Sequence, residues 1–361
     1  MLEKKYRIRS SIALSYRDGI MEFFKTNIRE NIVLKTPCNL IDFIKKFDGI
    51  KPLKDILQDS IFDDISAQKL ISFLHNKNIL IEVNCNYNKN VILEKYRLIN
   101  FLEEYCFDTK QVVNILAILS QKPVLVIGLG AVGTWIVDIL RRCGVEKFIL
   151  VDHDKVDLSN IHRQDFYFES DIGRLKLDCI EERLLEIGNT EIEKFYTIFD
   201  ENFFHHFDKE FCLAINCADY PNVDTTTNIL GKECMKRNIP HIIGGGYNLH
   251  LSLIGQSVIP YESACHECFN KALQKINTYH AELKKLHRTN RKIGSFTPLC
   301  TISASLAALD AFKILCGFYN KLTNTSTRIE FKIREMDIER MPISRDPTCQ
   351  CCKEKNDIKR D

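Results

Sequence analysis

The chain has 361 residues, of which 45% are hydrophobic and 27% charged, and its formal net charge is +2. That length suits two domains with ample apolar material for a core, and the near-neutral balance gives no electrostatic case for a nucleic-acid partner. No apolar run reaches membrane-spanning length, the charged start MLEKKYRIRS lacks an apolar signal core, and 15 cysteines without a secretion signal point to reduced thiols in a cytoplasmic protein.

Residues 1–85 read as a small winged-helix-like α+β domain. Tyr6–Leu14, Met21–Lys25 and Asn31–Lys35 have the residue types of short strands, with the turn signal Arg17-Asp18-Gly19 between the first two. Helices follow over Asn39–Phe47, Leu53–Gln58 and Ser66–Asn76, the last with Leu70, Phe73 and Leu74 on one face, and an apolar strand closes the domain at Ile79–Val83. Residues 86–121 read as a linker and a connector helix, the linker polar over Cys85–Val91 and the helix at Tyr96–Ser120. From Pro123 to about Met341 strands and helices alternate, as a mostly parallel sheet requires, so residues 122–361 form an α/β domain of Rossmann type. The tail from Lys353 is charged and expected to fray.

Within that second domain VLVIGLGAVG, residues 124–133, carries the sharpest signal. An apolar strand runs into Gly128-x-Gly130-x-x-Gly133, and a second strand ends at Asp152. Gly128 permits the turn, Gly130 lets phosphate approach the backbone, and Gly133 lets the next helix pack closely. The N-terminus of that helix offers free N–H groups to phosphate, and Asp152 offers acceptors to ribose hydroxyls. Next come Asn160, Arg163 and Gln164, then Gly173-Arg174-Leu175-Lys176. Cations here suit a triphosphate better than a nicotinamide cofactor, Arg163 as a planar fork and Lys176 as a point charge. They read alternatively as surface charge. Asp219 follows a strand at Leu213–Asn216, where it is placed to hold Mg²⁺ or to cap the helix beginning near Asn222.

Cys265-x-x-Cys268 recurs as Cys349-x-x-Cys352, four thiolates, enough for a closed tetrahedral Zn²⁺ site that would clamp the C-terminus to the domain body; unrelated buried cysteines are the other reading. Cys351 is an alternative to Cys352. Cys300, before an apolar helix at Ile302–Cys316, is a candidate nucleophile without an adjacent base. Lys275–Lys292, rich in Lys, Arg and His, reads as a mobile loop over the site.

The glycine loop, Asp152, Asn160-x-x-Arg163-Gln164, Gly173-x-x-Lys176, Asp219 and the paired cysteine motifs together resemble the ThiF/MoeB/E1-like adenylating superfamily, over residues 122–352. The resemblance implies a homodimer in which ATP is attacked at its α-phosphorus by a carboxylate. It assigns Asp152 to the ribose, Arg163 to the phosphate tail, Lys176 to the α-phosphate and Asp219 to Mg²⁺. Arg97, in Lys95-Tyr96-Arg97, is the candidate for the family's arginine donated across the dimer. The stretch Asp219-Tyr220-Pro221-Asn222 is similar to that of microcin C peptide-adenylating enzymes. The N-terminal domain, with Arg17-Asp18-Gly19 and Phe47-Asp48-Gly49, resembles the PqqD-like element that takes a leader peptide as an added strand. Met21–Lys25 and Asn31–Lys35 are its candidate edges and Ser66–Asn76 its groove helix. A precursor peptide, as in microcin C and pantocin A biosynthesis, is the expected substrate. The alternative is a ubiquitin-like or sulfur-carrier protein ending in Gly-Gly.

Overall fold

The computed structural model describes residues 2–36, 40–58, 60, 62–277, 294–322 and 324–353. The chain divides into two compact units, Met1–Ala117 and Ile118–Asp361.

The first unit runs β1 (Lys5–Ile8), β2 (Ile12–Arg17), β3 (Ile20–Lys25), β4 (Glu30–Lys35), α1 (Leu40–Lys45), β5 (Asp48–Pro52), α2 (Leu53–Gln58), α3 (Asp64–Asn76), β6 (Leu80–Glu82) and α4 (Lys89–Glu103), and ends within α5 (Thr109–Gln121). Two antiparallel sheets result, one ordered β5-β1-β6 and one β2-β3-β4. Asp18 and Gly19, both at positive φ, form the two-residue loop of the β2–β3 hairpin, the backbone twist such a loop needs. One core joins Met21 and Phe23 of β3, Ile32 of β4, and Ile71 and Leu74 of α3.

Four expectations change here. The strand expected over Tyr6–Leu14 is two strands, because the chain turns at Arg9. That side chain is buried, and its guanidinium donates to the carbonyl oxygens of Glu103 and, at 2.7 Å, of Cys106. β5 (sequence DGIKP) carries no apolar alternation and goes unseen in the sequence. Met21–Lys25 lies within the central strand of its sheet, so of the two candidate edges only Asn31–Lys35, within β4, is one. The connector is two helices with a break at residues 104–108. Both Arg7 and Tyr87 bind Glu103, the hydroxyl at 2.7 Å, which ties α4 into the first unit.

The second unit continues with β7 (Val124–Ile127), α6 (Ala131–Arg142), β8 (Lys147–Val151), α7 (Lys176–Ile187), β9 (Glu191–Phe195), β10 (Leu213–Asn216), α8 (Val223–Arg237) and β11 (His241–Ile243). Then come β12 (Gly246–Asn248), β13 (Leu251–Ile254), β14 (Gln256–Val258), α9 (His266–Asn277), α10 (Thr297–Leu315), β15 (Thr327–Lys332), β16 (Asp337–Pro342) and α11 (Gln350–Lys353). The main sheet is ordered β14-β11-β10-β7-β8-β9, parallel except for β14. β7 and β10 are buried at every position, as strands covered on both faces must be. The helix α6 turns Ile136, Val137 and Leu140 fully inward, each such burial contributing roughly 1.5–3 kcal/mol.

The alternation expected to about Met341 stops at Ile243. Beyond it β12, β13, β15 and β16 form a separate antiparallel sheet. The helix α10 is long and apolar enough by composition to cross a membrane, but most of its apolar positions are buried and it packs against α6 and β13, with Leu309 left exposed. Alanines at 304, 307, 308 and 311 let it approach closely.

From β7 the chain builds outward to β8 and β9, then crosses back to β10 and β11 on the other side. The carboxyl ends of β7 and β10 are therefore the topological switch point, where open α/β sheets bind ligands.

Candidate active site and metal centre

A crevice of about 780 Å³ opens at that switch point. Gly128 leaves β7 at φ +85°, and a Cβ there would stand 2.5 Å from the Ala218 nitrogen. A Cβ on Gly133 would stand 2.0 Å from the Gly128 carbonyl oxygen, so α6 packs against its own turn only because both residues are glycine. Gly130 is different. It lines the crevice, and nothing lies within 4 Å of where its Cβ would be. The open space sits at the N-terminus of α6, where backbone N–H groups and the positive end of the helix dipole favour phosphate.

Asp152, at the end of β8, is nearly buried and accepts from the Leu129 N–H at 2.6 Å and the Asp154 N–H at 2.7 Å. It therefore braces the glycine turn while lining the crevice. Asn160 accepts the Asp157 N–H at 3.0 Å, closing a capping box that fixes the loop carrying Arg163 and Gln164. All three line the crevice. Lys176 opens α7 and is only 4% exposed; its Nζ reaches Asp154 Oδ2 at 2.8 Å. Arg174 instead pairs with Asp171 and Glu182 and is no part of the crevice.

Asp219 stands on the opposite wall, exposed and without a hydrogen bond or ion pair among the described residues. It does not cap α8; Asn222 does, accepting the Thr225 N–H at 2.9 Å. The turn bearing Asp219 is held by Asn216, which accepts the Ala218 N–H and donates to Thr226, and by Thr226, which donates to the Ala218 carbonyl at 2.9 Å. Of the predicted site residues the crevice thus collects Gly128, Gly130, Asp152, Asn160, Arg163, Gln164, Lys176 and Asp219; Gly133 lies behind it.

Four contributors escape the sequence reading. Asp154 grips Lys176; Ile198 and Phe199 give the crevice an apolar wall after β9; and Tyr247 reaches Arg163 at 3.3 Å from β12. Asp154, two residues beyond Asp152, is the one a spacing argument could find. Cys300 is fully buried, and desolvation pushes its thiol up, both against a nucleophile's role. Arg97 belongs to the first unit, where its Nε meets Tyr96 Oη at 2.9 Å. Of Lys275–Lys292, the first three residues close α9 and the rest lie outside the described residues.

Cys265, Cys268, Cys349 and Cys352 are all buried, with sulfurs within 4.8 Å of one another. The closest approaches are 3.8 Å for Cys265–Cys268, 3.6 Å for Cys265–Cys349 and 3.7 Å for Cys268–Cys352. A tetrahedron with metal–sulfur bonds of about 2.3 Å has edges of about 3.8 Å, so the donor set fits a four-thiolate ion. Cys352, not Cys351, completes it. Met235, Val258, Phe269 and Ile343 surround the sulfurs, and Arg345 ties the last turn by donating to the Tyr261 and Cys352 carbonyls.

A glycine turn at a switch point, with Arg163 and Lys176 after β8 and Asp219, without a partner among the described residues, after β10, is the arrangement of a Rossmann-like domain. The chain belongs to the ThiF family, whose model matches residues 110–351. It is 24% identical over 237 residues to the molybdopterin-synthase adenylyltransferase of Escherichia coli, which spans 65% of this chain and 88% of that relative. Among solved structures it is similar to E. coli MccB with ATP, at 20% identity and a TM-score of 0.75, covering 96% of this chain and 99% of that one. The microcin C7 biosynthetic enzyme MccB in complex with N-formylated MccA matches over the same shares, with a TM-score of 0.74. The fold is thus the Rossmann-like adenylation fold, and the class of chemistry that comes with the family is ATP-dependent adenylation.

Proposed function

We propose that this protein adenylates a carboxyl group of a ribosomally made precursor peptide, with ATP and Mg²⁺, during maturation of a peptide antibiotic. The observation that carries the reading is the crevice itself, where Arg163 and Lys176 from beyond β8 and Asp219 from beyond β10 line one space with the glycine turn after β7 between them. The triphosphate lies along Gly128–Gly130, the ribose on Asp152, and the adenine against Ile198 and Phe199. Asn160 and Gln164 add neutral hydrogen bonds, Arg163 holds the phosphate tail, and Asp219 holds Mg²⁺. A carboxylate oxygen of the peptide attacks the α-phosphorus, and the bond to the bridging oxygen breaks. Pyrophosphate leaves with its electron pair, held by Arg163; Mg²⁺ on Asp219 would offset the rest of its charge. Lys176 stabilises the charge that gathers on the α-phosphoryl oxygens. The acyl adenylate then leads either to cyclisation or dehydration with loss of AMP, or to a lasting peptide–nucleotide bond.

The peptide reading is supported by MccB, which the chain matches along nearly its whole length and which has been solved with MccA. It is supported also by β4, an edge strand that shares its core with α3 and presents Val33, 56% exposed. In this reading the leader peptide adds to β4. The four cysteines hold a structural Zn²⁺, the enzyme works as a homodimer, and its free thiols suit the cytoplasm. The alternative, activation of a carrier protein ending in Gly-Gly, is favoured by the molybdopterin-synthase adenylyltransferase relative.

Mass spectrometry of the peptide encoded beside the gene, incubated with enzyme and ATP, separates the two. A peptide that gains a nucleotide or loses water supports the proposal; an unchanged peptide and an adenylated Gly-Gly carrier overturn it. Two further results are expected. Lys176→Ala slows peptide-dependent pyrophosphate release about a hundredfold or more, the loss typical of a transition-state electrostatic donor, while circular dichroism stays unchanged. Val33→Asp raises the KM for peptide about fivefold to tenfold and leaves ATP affinity alone, as read by isothermal titration calorimetry.

A further inference from the structure

Among the described residues the Arg163 guanidinium has no carboxylate partner; its side-chain hydrogen bond goes from Nη1 to Tyr247 Oη at 3.3 Å. Lys176 and Arg174, by contrast, are both paired with acids. The Arg163 main chain is already fixed, its N–H donating to the Asn160 carbonyl at 3.0 Å and its carbonyl accepting Trp135 Nε1–H at 3.3 Å. The remaining freedom is in the long side chain, and Tyr247 is what meets it.

Tyr247 is itself held in a frame. It sits on β12, in register with Ser252 of β13, and Ser252 Oγ donates to the Leu299 carbonyl on α10 at 2.6 Å. The next residue, Cys300, is buried, its sulfur 3.5 Å from Ser295 Oγ and 3.6 Å from the Phe296 carbonyl oxygen. Gly245 lets the strand come this close, because a Cβ there would stand 1.9 Å from Ser303 Oγ. The hydroxyl therefore accepts from Arg163 out of a strand whose place is fixed.

Resting on the ATP reading above, we propose that Tyr247 is a positioning residue: it aims the Arg163 guanidinium at the nucleotide's phosphate tail, from a strand held against α10 by way of Ser252. A hydroxyl orients the cation without offsetting its charge, which a carboxylate would do, so the full pull on phosphate is kept.

The test is Tyr247→Phe in the full-length protein, titrated calorimetrically with ATP and with AMP in the presence of Mg²⁺. AMP lacks the phosphates that Arg163 is aimed at. The expected result is ATP binding weakened about threefold to tenfold, AMP binding unchanged, and no added loss when Tyr247→Phe is combined with Arg163→Met. Equal losses for ATP and AMP, no loss for either, or a full additional loss in the Arg163→Met background overturns the proposal. A wild-type protein that binds neither nucleotide overturns the ATP reading itself and this inference with it. Wild-type binding of ATP with a failed Tyr247→Phe result overturns this inference alone.

Discussion

Asp219→Ala is expected to abolish peptide-dependent pyrophosphate release while leaving the melting temperature within about a degree of wild type. The side chain is exposed, makes no hydrogen bond or ion pair among the described residues, and leaves the capping of α8 to Asn222. Nothing in the fold therefore leans on it. In the proposed reaction it holds the divalent ion against the leaving pyrophosphate, a role that contributes several kcal/mol to the transition state. Each factor of ten in rate corresponds to about 1.4 kcal/mol, so the expected loss is about a thousandfold or more. Release of pyrophosphate at a rate near wild type would remove Asp219 from the reaction.

Cys349→Ser is expected to act the opposite way, on structure first. Cys349 and Cys352 come 84 positions after Cys265 and Cys268, and the four sulfurs already have the spacing of a tetrahedral thiolate site. Binding one zinc ion at such a site contributes on the order of 10 kcal/mol in small zinc domains. Purified wild-type protein should carry about one zinc per chain by elemental analysis. The variant should carry none, lose about 10 °C or more in melting temperature, and be cleaved by protease in the segment 343–352. Metal-free wild-type protein of equal stability would show that the cysteines pack as plain apolar groups.

The parts of this site that the sequence displays are those whose meaning is local. Gly128, Gly130 and Gly133 sit within one turn and one helix start, and Asp152 ends the next strand, so their spacing alone implies their geometry. Each cysteine pair is equally local, although the meeting of 265–268 with 349–352 depends on how the antiparallel sheet returns the chain. What stays hidden is tertiary. Asp154 meets Lys176 only because the loop after β8 folds back under the start of α7, as the Lys155–Leu175 bridge records. Tyr247 meets Arg163 across 84 positions, from a three-residue strand that begins on the last of three glycines, with no alternation to mark it. Likewise the buried Arg9 looks like a surface charge until its carbonyl partners at the end of α4 come into view. The edge position of β4, and the central one of β3, follow from strand order, which alternation cannot convey.

The most direct measurement is a crystal structure of the full-length protein with ATP and Mg²⁺. The account predicts the triphosphate draped over Gly128–Gly130, with the metal on Asp219 and the Lys176 ammonium drawn from Asp154 toward the α-phosphate. A nucleotide bound elsewhere, or a crevice still vacant at saturating ATP, would contradict it.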